Sequence, residues 1–166
     1  DVDYMISPDQ IKFIQGACEA IKLLNEANYK VIIISNQSGI ARGILNEASL
    51  QIIDKTIKKH VLNSGAFIDD SYYCPHHPTE GNMHYRKECD CRKPSPGMIK
   101  KSAKEHNIDL KKSYIIGDKM TDIEAGKNAG CRTILINHNG INTAADSDYI
   151  AKNILEAVNW IMGRDK

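Results

Sequence analysis

Residues 113–136 read SYIIGDKMTDIEAGKNAGCRTILI, and this stretch decides the fold. Its pattern predicts a strand at 114–116, a polar turn, a helix at 121–129 and a second strand at 132–136. A strand that reaches the next strand through a helix pairs with it in parallel, by a right-handed crossover. We therefore predict an α/β fold, with a doubly wound parallel sheet of Rossmann-like type and helices on both faces.

The alternation of strands and helices extends through the rest of the chain. Val31 to Ile34 is a continuous β-branched run, too short for a helix and apolar on both faces, as in a strand buried inside a parallel sheet. Further helices are predicted at 17–28, behind a cap at Asn46, from about Pro96 and at 153–162, with further strands at 70–73 and near Tyr149. Because no linker or repeat interrupts this order, we predict one domain, 1–166, with an inserted loop at 74–91.

Composition and charge exclude several classes of protein. Lys and Arg number 22 against 21 Asp and Glu, and only 6% of residues are aromatic, so nucleic acid is not an expected partner. No apolar run approaches the roughly 18 residues of a membrane span, and the opening residues have no signal-peptide character. We expect a cytoplasmic, monomeric protein that acts on a small molecule.

Two Cys/His pairs flank a polar loop. Cys74 and His76 form the first pair, Cys89 and Cys91 form the second, and twelve residues separate the pairs. Three thiolates and one imidazole suit a tetrahedral zinc site without an open position, which is a structural site and not a catalytic one. The alternative is a set of ordinary buried thiols beside a surface histidine, and His77 competes with His76 as the ligand.

Polar side chains collect where the predicted strands end, and open α/β sheets bind ligands there. Ser35 and Asn36 follow one strand, Asp118 follows another, and Lys93 comes directly after the second Cys/His pair. Cations with neutral donors bind phosphate, and carboxylates at the same edge hold Mg²⁺, so the set favours phosphoryl transfer. Taken singly, each residue has a simpler explanation: Lys93 is a surface cation, Ser35-Asn36 a turn, and Asp118 with Asp122 a helix cap.

Four motifs carry a resemblance to a known family. IIISNQSGIARG, CPHHP, CDCRKPSPGM and IIGDKMTDIEA, in that order, resemble the haloacid dehalogenase superfamily and, within it, the zinc-clipped sugar phosphatases. The resemblance implies hydrolysis of a phosphomonoester through an aspartyl-phosphate intermediate, with Mg²⁺ and Zn²⁺ as cofactors. The long loop between the Cys/His pairs favours members that act on a seven-carbon sugar bisphosphate. Histidinol phosphate or another small phosphomonoester is the alternative substrate.

Carried over by position, the resemblance also implies roles for particular residues. Two are catalytic: Ser35 at the phosphoryl group and Lys93 against the developing charge. Asp118 is implied as the Mg²⁺ ligand with Asp122 in support, and the zinc ligands are Cys74, His76, Cys89 and Cys91. The implied substrate-binding residues are Asp1, Asn36, Gln37, Ser38, Arg92 and Lys119.

The chain departs from the family pattern at its start. Members of the family carry an Asp-x-Asp-Gly motif at the end of their first strand, where the first Asp is the nucleophile and the second is the general acid and base. Asp1-Val2-Asp3 copies the spacing, but Tyr4 replaces the glycine and no apolar strand precedes it. We interpret these residues as the loop after the motif and expect a longer protein that supplies the missing central strand. A catalytically inactive protein that binds a sugar phosphate is the alternative.

Overall fold

A computed structural model describes residues 6–137 and 146–164. The chain divides into two compact units, Asp1–Cys89 and Asp90–Lys166, and each is described by itself. The expectation of a single domain over the whole chain stays a prediction. Among the described residues, no helix is both long enough and apolar enough to cross a membrane.

Residues 6–89 of the first unit form two α-helices and two parallel strands. After a 3₁₀ turn at Pro8–Gln10 come α1 (Ala17–Glu26), β1 (Ile32–Asn36), α2 (Glu47–Asn63) and β2 (Asp70–Cys74). β1 and β2 pair in parallel from Ile32 opposite Asp70 to Asn36 opposite Cys74. The carboxyl end of β1 is therefore level with Cys74, the first cysteine of the polar loop.

Local signals in the sequence explain where α2 begins and how it packs. The Asn46 side chain accepts a hydrogen bond from the Ser49 N–H at 2.8 Å, which confirms the predicted cap. The apolar face of α2 is buried through Leu50 and Ile53 against Ile40 and Leu45 of the preceding loop. This small core fixes the segment between β1 and α2, which follows Ser35 and Asn36 directly.

The second unit contains a three-stranded parallel sheet. Its elements are α3 (Gly97–His106), β3 (Tyr114–Gly117), α4 (Met120–Ala129), β4 (Arg132–Ile136), β5 (Tyr149–Ala151) and α5 (Ile154–Arg164), with a 3₁₀ turn at Leu110–Lys112 before β3. The strand order is β3-β4-β5, and both pairings are parallel. The predicted α/β class with parallel strands is confirmed, and the predicted elements shift by only one or two residues.

The buried core of the second unit includes residues of β4 and α5. Thr133 and Ile134 of β4 are fully buried, as are Ala157 and Val158 of α5. β4 lies between β3 and β5, and its consecutive residues Thr133, Ile134 and Leu135 are all buried, so both of its faces are covered, as in parallel sheets that helices cover. β3 pairs with this buried strand along its whole length. The turn that follows β3, which carries Asp118 and Lys119, therefore begins from an ordered strand.

Candidate functional site

Four predicted ligands come together in the loop that follows β2. The ligand atoms of Cys74, His76, Cys89 and Cys91 all lie within 4.8 Å of one another. Cys74 Sγ is 3.5 Å from Cys89 Sγ and 3.7 Å from His76 Nδ1. Tetrahedral zinc with Zn–S bonds of about 2.3 Å spaces its ligand atoms about 3.3–3.8 Å apart, so the donor set and these two distances fit that ion.

The surroundings of His76 and His77 show which of the two histidines is placed to bind a metal with the cysteines. Burial lowers the pKa of His76, and the nearby charges of Lys87 and His84 lower it further. The lower pKa favours the neutral imidazole, which is the form that binds a metal. His77 faces the loop instead, because its Nδ1 accepts from the Glu80 N–H at 2.9 Å and its Nε2 lies 3.4 Å from Arg42. The geometry therefore groups His76, and not His77, with the three cysteines.

The remaining two cysteines lie apart from this group. Cys18 is half-buried in α1, and Cys131 is buried next to β4. Burial raises the pKa of the Cys131 thiol to about 11. A thiol with so little thiolate at neutral pH is a poor nucleophile and a poor metal ligand. The five cysteines thus divide into three with a shared site and two that are isolated.

The loop between the ligand pairs is attached to the segment that follows β1. The Asn82 N–H donates to the Ala41 carbonyl at 2.7 Å, Arg42 pairs with Glu80 at 3.0 Å, and the Tyr85 hydroxyl donates to Glu47 at 2.9 Å. A Cβ added at Gly81 would overlap the Ala41 carbonyl, so only glycine permits this close approach. Sequence reasoning missed these contacts, since they join residues about 40 apart in the chain.

The carboxyl end of β1 brings Ser35 and Gln37 into contact. The Gln37 side-chain amide donates from Nε2 to Ser35 Oγ at 3.1 Å, and the Gln37 backbone N–H donates to the Cys74 carbonyl at 2.7 Å. Asn36 and Ser38 are half-buried beside them. The polar residues that were predicted after this strand therefore do lie at its end.

In the second unit, Lys93 and Asp122 form a partly buried ion pair. Lys93 Nζ lies 2.5 Å from Asp122 Oδ1, and the two side chains are only 14% and 10% exposed. The other carboxylate oxygen of Asp122 accepts from the Lys119 N–H at 3.1 Å in the first turn of α4. Asp122 therefore caps the helix, as the simpler explanation held, and also holds the lysine ammonium group.

The other predicted residues of the second unit surround this pair in sequence. Asp118 and Lys119 are exposed in the turn between β3 and α4, and Arg92 is half-buried next to Lys93. The Ser95 N–H donates to the Arg92 carbonyl at 2.8 Å, which shapes the turn that carries both cations. Asp1 lies outside the described residues, so its expected contact with substrate stays a prediction.

Gly117, the last residue of β3, packs so closely against the Asp122 side chain that there is no room for a Cβ atom at this position. A Cβ added there would lie 2.6 Å from Asp122 Cγ and closer still to other atoms of the same side chain. We expect Gly117→Ala to lower the free energy of unfolding by about 1–3 kcal/mol, because the carboxylate must move out of its cap and its ion pair. Chemical denaturation of the purified variant measures this loss.

Gly163 provides the matched control for that substitution. It lies in α5, and a Cβ added there meets nothing within 4 Å. Gly163→Ala should leave stability unchanged or raise it by up to about 1 kcal/mol, since alanine favours the helix. Equal effects of the two substitutions would show that the close approach of Gly117 to Asp122 does not constrain the turn.

With the geometry in place, comparison with known proteins gives the class of the chain. A family model described as HAD-hydrolase-like matches residues 90–157. A structure of D,D-heptose 1,7-bisphosphate phosphatase from B. bronchiseptica, complexed with magnesium and phosphate, is 27% identical, with a TM-score of 0.81. The match covers 96% of this chain and 89% of that one. The fold, the family model and the similar structure together show that the protein is a haloacid dehalogenase-like hydrolase.

Comparison with curated proteins gives the particular family. D-glycero-beta-D-manno-heptose-1,7-bisphosphate 7-phosphatase from Pasteurella multocida is 38% identical over 158 residues, 95% of this chain and 85% of that protein. D-glycero-alpha-D-manno-heptose-1,7-bisphosphate 7-phosphatase from Photorhabdus laumondii is 37% identical over 130 residues, 78% of this chain and 71% of that protein. The chain belongs to the family of heptose-1,7-bisphosphate 7-phosphatases.

Proposed function

We propose that the protein hydrolyses the 7-phosphate of D-glycero-D-manno-heptose 1,7-bisphosphate and releases inorganic phosphate. The observation that carries the proposal is the identity of 38% across 95% of the chain with an enzyme named for this reaction. The fold agrees, because polar residues expected to bind phosphate, Ser35 and Asn36 on β1 and Asp118 after β3, lie at the carboxyl ends of parallel strands.

The chemistry of a phosphomonoester explains why these residue types are needed. Negative charge is spread over the phosphoryl oxygens both when an aspartate attacks phosphorus to form the aspartyl-phosphate and when water hydrolyses that intermediate, so fixed donors and cations lower both barriers. In this proposal the Ser35 hydroxyl donates to the transferring phosphoryl group, and Lys93 neutralises its charge. Asp122 keeps the ammonium group in place, since the side-chain contact is 2.5 Å and largely shielded from water.

Asp118 is the residue proposed to hold Mg²⁺. Its carboxylate is exposed in the turn after β3 and offers the hard oxygen ligand that this ion prefers. Both oxygens of Asp122 already have partners, one in Lys93 and one in the Lys119 N–H, so its support for the ion acts through the shape of the turn. When bound, Mg²⁺ supplies positive charge that offsets the charge of the phosphoryl oxygens.

Zn²⁺ is proposed for the group of Cys74, His76, Cys89 and Cys91. All four positions of a tetrahedral ion would be filled by protein, which leaves none for substrate or water. Its contribution is therefore structural. Arg92 and Lys93 follow Cys91 in sequence, so fixing that cysteine restricts the backbone that carries the two cations.

Arg92 and Lys119 are proposed to recognise the phosphate that remains on the sugar.

Steady-state phosphate release from the full-length protein tests the proposal. Specificity constants are measured with Mg²⁺ for both anomers of heptose 1,7-bisphosphate and for histidinol phosphate. We expect one heptose anomer to exceed histidinol phosphate by at least about a hundredfold, because a site built for a polar group loses several kcal/mol when that group is absent. EDTA should abolish turnover.

Two other results would favour the alternative functions, a histidinol-phosphate phosphatase or a protein that binds the sugar phosphate without hydrolysing it. Equal or higher activity on histidinol phosphate would assign the protein to that substrate. Binding of the heptose bisphosphate in calorimetry without release of phosphate would show a sugar-phosphate-binding protein and not an enzyme. The same assay with Asp118→Asn should resemble EDTA treatment, since an amide oxygen binds Mg²⁺ much more weakly than a carboxylate does.

A further inference from the structure

Gln37 lies one residue beyond the last paired residue of β1. Its backbone N–H donates to the carbonyl of Cys74 at 2.7 Å and so extends the parallel ladder that ends with Asn36 opposite Cys74. Cys74 is fully buried and is one of the four residues grouped as metal ligands. The backbone of Gln37 is therefore fixed by the strand that begins the Cys/His loop.

The side chain of Gln37 turns back toward the strand. In extended chain, residues two apart face the same side, so Gln37 can reach Ser35. Nε2 donates to Ser35 Oγ at 3.1 Å, and the bond is partly buried. A hydroxyl that accepts a hydrogen bond at one lone pair keeps its own O–H for another acceptor. The amide thus biases the direction in which Ser35 donates.

We propose that Gln37 is a positioning residue that orients the Ser35 hydroxyl toward the phosphoryl group, and that it does so without contacting the substrate itself. This inference rests on the proposed function of Ser35. It differs from the expectation drawn from sequence, in which Gln37 binds substrate directly. The hydrogen bond to Ser35 uses one donor of the amide, and the ladder bond to Cys74 holds the residue from the other side.

A double-mutant cycle distinguishes a Gln37 that orients Ser35 from a Gln37 that binds the substrate directly. Gln37→Met keeps the length of the side chain and the backbone N–H but removes the donor, and Ser35→Ala removes the hydroxyl. We expect Gln37→Met to lower kcat about tenfold and to raise KM by a smaller factor of about two to three, since one neutral hydrogen bond is lost. Ser35→Ala should lower kcat about a hundredfold. The double variant should equal Ser35→Ala within about twofold, because Gln37 has nothing left to orient.

Two results would overturn the proposal. A double variant about tenfold below Ser35→Ala would mean that Gln37 acts on the substrate independently of Ser35. A Gln37→Met enzyme with unchanged kcat would mean that the hydrogen bond does not orient the hydroxyl. Gln51→Ala, which changes an exposed glutamine of α2, is the matched control and should match the wild type.

The same cycle is run on the affinity for inorganic phosphate, measured by calorimetry with the full-length protein. This readout does not depend on which sugar phosphate is the substrate, so failure of the heptose assignment and failure of the Gln37 inference are distinguishable. The expected pattern is a loss in Gln37→Met that disappears in the Ser35→Ala background. Losses that add in both backgrounds would again contradict the proposal. Metal content and melting temperature, equal to wild type in Gln37→Met, confirm that the fold is intact.

Discussion

Replacing Lys93 by alanine is expected to lower kcat by about a thousandfold. In the proposed mechanism its ammonium group faces charge that grows in the transition state, and the Lys93 side chain is only 14% exposed, so little water replaces it. The loss should fall on kcat more than on KM, because the interaction strengthens as the phosphoryl group transfers. Steady-state kinetics on the heptose bisphosphate measures the two constants separately.

The fold should survive this substitution. Asp122 would lose its partner at 2.5 Å but keep the hydrogen bond from the Lys119 N–H. Lys104→Ala is the matched control, since Lys104 is an exposed lysine in the last turn of α3, and its kinetics should equal those of the wild type. A Lys93→Ala protein that melts like the wild type and keeps more than about a tenth of its turnover would remove Lys93 from the chemistry.

The second large effect is expected on the Cys/His group. Cys89→Ser replaces a ligand whose Sγ lies 3.5 Å from Cys74 Sγ, and serine is a much poorer zinc ligand than a thiolate. We expect the protein to lose most of its zinc and its activity to fall about 10- to 100-fold, as the segment that carries Arg92 and Lys93 loosens. Elemental analysis and kinetics on the same sample measure both effects.

Thiol titration gives an independent test of the same group. Removing the metal from the wild-type protein with a chelator should expose three further reactive cysteines. Cys131 should stay slow at pH 8, because burial raises its pKa to about 11 and leaves little thiolate. Cys18→Ser, outside the group, is the control and should keep its zinc. Full zinc content and full activity in Cys89→Ser would contradict the proposed structural site.

The secondary structure could be predicted from sequence because its signals are local. Short runs rich in β-branched residues, such as 31–34 and 132–136, allow little besides a strand, and Asn46 caps the helix that follows it. The expected burial of the first run is wrong for the described residues, since every residue of β1 is only half-buried. The Cys/His group was predictable for a different reason. Thiolate and imidazole ligands in close pairs have few other uses, and the structure brings all four together.

Contacts between distant segments were not predictable from one sequence. The attachment of Gly81 and Asn82 to Ala41 depends on where two loops meet, and neither loop has a periodic pattern. The Lys93–Asp122 pair is a similar case, since any of several cations could have faced that carboxylate. The bond from Gln37 to Ser35 was not predicted either, although a period of two along an extended strand places these near neighbours on one face.

Phosphorus NMR of the reaction product tests the central claim most directly. In heptose 1,7-bisphosphate, the phosphorus on C7 couples to two methylene protons and the phosphorus on C1 couples to one proton, so the signals are distinguishable. With the full-length protein and Mg²⁺, we predict that the C7 signal disappears, the C1 signal remains and inorganic phosphate appears in equal amount. Loss of the C1 signal, or two unchanged signals after prolonged incubation, would contradict the assignment as a 7-phosphatase.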